Sequence, residues 1–195
     1  YLNDFFTGKH PGSDSRGELY NDDPVTQDAR FCGTTASMCG IEAALFEKND
    51  EKLERGIRED LMLHAYMLTQ SGIPMLYSSD EVGRLNDYSY KDDPDKAADS
   101  RYIHRGAFQW DLAKKRKSKT SVEGQIFQTL SRMEQIRRQE SVFDKDCDVY
   151  TYDVYDDSIL CILRQKGNER FIGIFNFSDL KFIHKELMML VFYRQ

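Results

Sequence analysis

The chain has 195 residues, 40% hydrophobic and 31% charged, a balance that provides for a buried core and excludes a compositionally disordered chain. Its 33 acidic against 27 basic side chains leave a formal charge of −6, which argues against nucleic acid as the main partner and suits a cytoplasmic protein or one that handles neutral solutes. The longest apolar run, Leu187 to Tyr193, falls far short of the roughly 20 residues that a membrane-crossing helix needs, so no membrane partner is expected.

The chain opens on Tyr1 with neither an initiator Met nor a basic-then-apolar leader pattern, and is expected to be the tail of a longer enzyme. After a short aromatic, helix-like start, the run Gly8-Lys-His-Pro-Gly-Ser-Asp-Ser-Arg-Gly17 is punctuation for turns. The small and apolar residues from Gly33 to Leu45 predict a short, closely packed helix. From Asn49-Asp50 the signal sharpens: a capping residue, acids in the first turn, then Leu53, Ile57, Leu61, Ala65 and Leu68 at helical spacing. Gly72 fits a left-handed stop for that helix, and Ile73 to Tyr77 predicts a short strand buried on both faces.

The polar stretch from Ser78 to about Lys119 is too long for a plain connector and reads as a functional loop at a strand end. Thr120 with Glu123 forms a capping box, and Val122, Ile126, Leu130, Met133 and Ile136 predict a second amphipathic helix to about Gln139. Aromatic and β-branched runs then predict strands over Val149–Tyr155, Ser158–Arg164 and Arg170–Phe177, with turns at Asp156-Asp157 and Lys166-Gly-Asn168. They suit a meander or a small sandwich, whereas Leu180 to Gln195 fits strand and helix alike. The fold class expected is α/β: the C-terminal part of a TIM (β/α)8 barrel in residues 1–145, then an incomplete all-β, sandwich-type domain in residues 146–195.

Few groups point to chemistry. Asp80 and Glu81 adjoin at the end of the predicted strand, but neighbours on an extended segment face opposite ways, so they suit loop fixing better than acid and base work on one bond. Arg101 and His104 sit in Asp99-Ser-Arg-Tyr-Ile-His-Arg105, where a guanidinium can pair with a carboxylate or donate to sugar hydroxyls. The acids Asp87, Asp92, Asp93, Asp95 and Asp99 form no EF-hand, since no glycine follows Asp93-x-Asp95 at the turn and His104 stands where the closing glutamate belongs. No metal is expected there. The basic run Lys114-Lys-Arg-Lys117 with Lys119 precedes a helix cap and reads as a solvated approach to it. Cys32, Cys39, Cys147 and Cys161 lack paired Cys-x-x-Cys spacing and read as free, mostly buried thiols.

The succession Gly72-Ile-Pro-Met-Leu-Tyr77, Asp80-Glu-Val-Gly83, Leu85-Asn-Asp87 and Asp99-Ser-Arg-Tyr-Ile-His-Arg105 resembles the alpha-amylase family of glycoside hydrolases, most closely its sucrose-acting, amylosucrase-like branch. The resemblance implies that this segment is the eighth barrel strand and its long following loop. It also implies that Arg16-Gly17, Asn21, Asp23-Pro24 and Arg30 with Gly33-Thr34 belong to the loop region on the acceptor side of the pocket, with Arg30 at the fructosyl or acceptor unit. Arg101 would help to close the glucosyl pocket, and Arg101, Arg30, Asn21, Asp23 and His104 would be the substrate-binding residues. The aspartate nucleophile, the glutamate acid/base and the stabilising aspartate of such retaining enzymes would all precede Tyr1, so no catalytic residue is expected here and the missing barrel segments would be required. Substrates would be small carbohydrates, sucrose or an α-glucan, with no cofactor. Ser79 departs from the family's glycine before Asp80-Glu81, and Gly106 from its proline after His104-Arg105. A noncatalytic carbohydrate-binding or interaction module derived from the same barrel tail is the alternative reading.

Overall fold

A computed structural model describes residues 1–26, 28–178 and 188–193 and divides the chain into two units. The first comprises Tyr1–Asp60 and Leu76–Gln128, and the second Leu61–Met75 with Thr129–Gln195.

In the first unit, helix α1 (Leu2–Phe6) leads through the turn-rich loop to an antiparallel hairpin of β1 (Glu18–Tyr20) and β2 (Arg30–Cys32), with Tyr20 opposite Arg30. The region predicted as one short helix is two, α2 (Thr35–Met38) and α3 (Ile41–Glu47). Thr34 caps the first, its hydroxyl accepting from the Ser37 amide at 3.3 Å. Helix α4 (Asp50–Thr69) follows as its periodicity predicts; the Asn49 side chain accepts from the Lys52 amide at 3.1 Å, and the helix contributes its first part to this unit. The long polar loop is a string of single 3-10 turns, at Asp80–Val82, Tyr88–Asp92 and Ser100–His104, followed by α5 (Trp110–Lys114). The apolar side chains Ile41, Val82, Ile103 and Ile126 of this unit are buried, none more than 1% exposed.

In the second unit the remainders of α4 and of α6 (Val122–Gln139) accompany a four-stranded antiparallel meander of β3 (Asp148–Tyr152), β4 (Ile159–Lys166), β5 (Glu169–Asn176) and β6 (Met188–Tyr193) in that order. Lys166 pairs with Glu169 across a two-residue turn whose Gly167 takes the left-handed conformation that such hairpins require. Of the ambiguous stretch from Leu180, Met188–Tyr193 is strand and the rest lies outside the described residues. Ser121, rather than Thr120, caps α6: its hydroxyl accepts from the Gly124 amide at 3.1 Å, while Glu123 pairs with Lys115 at 2.9 Å instead of reaching back.

Arg164, on β4, is 1% exposed and donates to the carbonyls of Thr69 at 2.8 Å and Val142 at 2.7 Å and to Cys147 Sγ at 2.7 Å. Arg137 donates to the carbonyls of Leu68, Gln70 and Gly72. Two guanidiniums thus satisfy the orphan carbonyls at the end of α4, where the helix dipole also favours positive charge. Both lie over the Phe143 ring, at 5.1 and 5.5 Å from its centre.

The barrel expectation is overturned. Among the described residues both sheets are antiparallel, and neither closes on itself or curls strongly. Ile73 to Tyr77 belongs to no strand, and Ile73 and Met75 are 92% and 83% exposed. An apolar run becomes a buried parallel strand only when neighbouring strands take up its amides and carbonyls. No described segment supplies that pairing.

Candidate functional site

The residues singled out by sequence fall into two neighbourhoods of the first unit. One is built around the Tyr20 ring. Tyr20 ends β1, faces Arg30 across the hairpin and precedes Asn21, whose left-handed backbone (φ 51°) starts the hairpin loop. The Arg101 guanidinium lies over that ring at 4.3 Å, although the two residues are far apart in sequence. Asp99 fixes it along its Nε–Nη2 edge: Nε donates to Oδ1 at 2.8 Å and Nη2 to Oδ2 at 2.7 Å. Asp99 also accepts from the Arg101 amide at 3.0 Å as the cap of the 3-10 turn, and Ser100 donates to the Leu19 carbonyl at 2.8 Å, tying this turn to β1. Two parallel fork bonds hold a guanidinium far better than one. They also lower the Asp99 carboxyl to about 2, with Arg101 as the leading cause. Nη1 of Arg101 has no partner among the described residues, and the side chain is 39% exposed, so a hydroxyl-bearing ligand can reach it. Beneath Tyr20 lie buried Cys32, Tyr90 and Ile103.

Asn21 and Arg30 are exposed at the same hairpin end, and Asp23 is exposed in its loop. Asp23 organises that loop, accepting from the Val25 amide at 2.8 Å and the Thr26 amide at 3.2 Å, contacts that lower its carboxyl below the usual range.

The second neighbourhood holds Asp80, Glu81 and His104. Asp80, 9% exposed, accepts from the Thr35 hydroxyl at 3.2 Å. Glu81 is half-buried and makes no hydrogen bond or ion pair among the described residues. His104 sets its ring edge-on to Tyr77 at 5.5 Å, and its buried Nδ1 has no partner. Burial holds its imidazole below the usual range, Arg105 adds to the effect, and Asp80 opposes it. Asn86 joins this region to α2: its side chain accepts from the Thr34 amide at 2.9 Å and donates to the Arg16 carbonyl, and its amide donates to Ser37 Oγ at 2.9 Å.

Sequence reasoning missed Tyr20, Asp99 as the partner of Arg101, and Arg84. Only the Asp-x-Arg spacing, which suits an aspartate turn, was readable in advance. Among the described residues no group of His, Cys, Asp and Glu is arranged to hold a metal ion, and no helix is long and apolar enough to cross a membrane.

No family model matches the chain. Among solved structures it is similar to sucrose 6F-phosphate phosphorylase from Thermoanaerobacter thermosaccharolyticum, with a TM-score of 0.63 and 14% identity over 90% of this chain and 31% of that one. The shared feature is the fold. Looser likenesses, on which no argument rests, are to a cyclic alpha-maltosyl-(1-->6)-maltose hydrolase from Arthrobacter globiformis (TM-score 0.47, 19% identity, 72% of this chain and 29% of that) and to the trehalulose synthase MutB from Pseudomonas mesoacidophila (0.45, 16%, 61% and 30%). The chain therefore spans less than a third of the length of these proteins, 29% to 31%.

Proposed function

We propose that the chain belongs to a protein of the glycoside hydrolase and transglucosidase lineage that acts on sucrose or a related α-glucoside, and that its own part is to bind sugar rather than to break the glycosidic bond. One observation carries the reading: Arg101 is held over the Tyr20 ring by Asp99 with a donor nitrogen left over, at a hairpin end that also bears Arg30 and Asn21. A planar, pre-oriented set of donors beside an aromatic ring suits vicinal sugar hydroxyls, because the arginine loses little further rotamer freedom on binding. The motif succession from Gly72 to Arg105 supports the same lineage, and the fold shared with part of the phosphorylase is compatible with it.

In this reading Asn21 and Arg30 serve the acceptor side, Asp23 shapes the loop that carries them, and His104 adds a neutral imidazole at the far end of the Arg101 turn. Asp80 holds the loop through the Thr35 hydroxyl, whereas Glu81, expected to share that role, has no such contact among the described residues. The test is titration of the isotope-labelled chain with sucrose, glucose and fructose, observed by NMR. Sugar-dependent shifts should centre on Tyr20, Asn21 and Arg101 and vanish in R101A; no shift with any of the three sugars refutes the reading.

A further inference from the structure

Arg84 is the most deeply buried cation of the first unit, at 3% exposure, and neither neighbourhood described above uses it directly. Its Nη1 donates to the Gly106 carbonyl at 2.6 Å, and its Nη2 lies 3.5 Å from Asp87 Oδ2. The Asp87 amide in turn donates to the Ile103 carbonyl at 2.8 Å. One guanidinium therefore joins the two ends of the loop that carries Asp99, Arg101 and His104. Position 106 is built around it: a Cβ on Gly106 would overlap the Arg84 guanidinium and the Asp87 carboxylate. Arg84 Nε and Nη2 make no hydrogen bond among the described residues, so the Gly106 carbonyl, with the Asp87 ion pair beside it, is the contact that fixes the group.

We propose that Arg84 is a positioning residue for sugar binding: clasped to Gly106 and Asp87, it closes the loop on which Arg101 and His104 are presented. The proposal rests on the sugar-binding reading above. Closing a loop of this length is entropically costly, and a single charge-assisted contact at its base removes freedom from every residue in between. Lysine offers only a point charge and cannot engage the carbonyl and the carboxylate with one planar group.

The experiment combines amide hydrogen exchange with sucrose titration of the full chain in wild type, R84M, R84K, G106A and the R84M/G106A double variant. In R84M the amides of Asp87, Tyr102 and Arg105 should exchange roughly tenfold faster, the effect of one charge-assisted hydrogen bond, and sucrose should bind more weakly by a similar factor. R84K should recover part of both. G106A leaves Arg84 in place but displaces its guanidinium, so it should reproduce R84M, and the double variant should be no worse than R84M alone. Unchanged protection in G106A, or additive effects in the double variant, overturns the clasp. A loosened loop that binds sucrose as the wild type does makes Arg84 structural only and overturns the positioning role. Protection that responds as expected in a wild-type chain that binds no sugar refutes the functional reading and supports the clasp alone.

Discussion

Replacing Ser79 by glycine is expected to stabilise the protein. Ser79 holds φ 81° and ψ −3°, is 1% exposed, and its hydroxyl has no partner among the described residues. The left-handed conformation costs a non-glycine residue roughly 1–2 kcal/mol. The unsatisfied buried hydroxyl adds about 1 kcal/mol. Against this, glycine gives the unfolded chain back about 0.4–1 kcal/mol of freedom, and the lost methylene forfeits about 0.8 kcal/mol of burial. The balance is about 1 kcal/mol in favour of S79G, which for a chain of this size raises the melting temperature by about 2–4 °C. Urea unfolding followed by far-UV circular dichroism, with the chain's single tryptophan, Trp110, reporting from the same unit, measures it. S79A removes the hydroxyl but keeps the strained Cβ, so it should gain about 1 kcal/mol from the hydroxyl alone and match S79G to within about 0.5–1 kcal/mol. If S79G is no more stable than wild type, the left-handed strain assigned to this residue is wrong.

Two further outcomes follow from the ion and hydrogen-bond geometry. R164M should destabilise the second unit by about 2–4 kcal/mol, since the Val142 and Thr69 carbonyls lose a buried donor, and R164K should lose less; thermal unfolding of the two variants decides it. Asp99 should titrate near 2 in carboxyl-detected NMR and return toward the ordinary aspartate range in R101A. Because its folded pKa is depressed, the support it gives the loop is fully present above about pH 4, the unfolded value, and is lost as pH falls toward 2. D99N should remove that pH dependence, seen as an Arg101 Nε resonance that no longer shifts with acid.

What could be read in the sequence was what local periodicity encodes. Helix α4, with Asn49 at its start and left-handed Gly72 beyond its end, and the β4–β5 hairpin at Gly167 all rest on contacts between near neighbours. The strand expected at Ile73–Tyr77 failed for the complementary reason, since its apolar run says nothing about whether a neighbouring strand exists to bond it. Arg164 was hidden by its place in an apolar strand, where a lone cation gives no hint that two carbonyls await it. At the candidate site Arg101 was legible from its motif, but the Tyr20 ring beneath it comes from a hairpin distant in sequence. The capping box misled by one residue because serine and threonine stand side by side and either can cap.

Ser79 and Gly106, the two departures from the pattern that the loop resembles, lie at the two ends of the segment that Arg84 ties together. The Ser79 carbonyl accepts from the Val82 amide and from the Arg84 amide, each at 3.2 Å, so the left-handed turn at Ser79 delivers Arg84 into its buried place. At the other end of the loop Gly106 leaves the space in which that guanidinium lies and offers the carbonyl that receives it. Proline at 106 would add a ring where the guanidinium sits, so here arginine and glycine together hold a position that proline would otherwise stiffen through its fixed φ. A rigid residue limits only its own backbone, whereas the clasp ties position 106 to position 84 and makes loop geometry depend on a contact that sequence separation conceals. The order of the loop, and with it the setting of Arg101 on Tyr20, is therefore decided at its base.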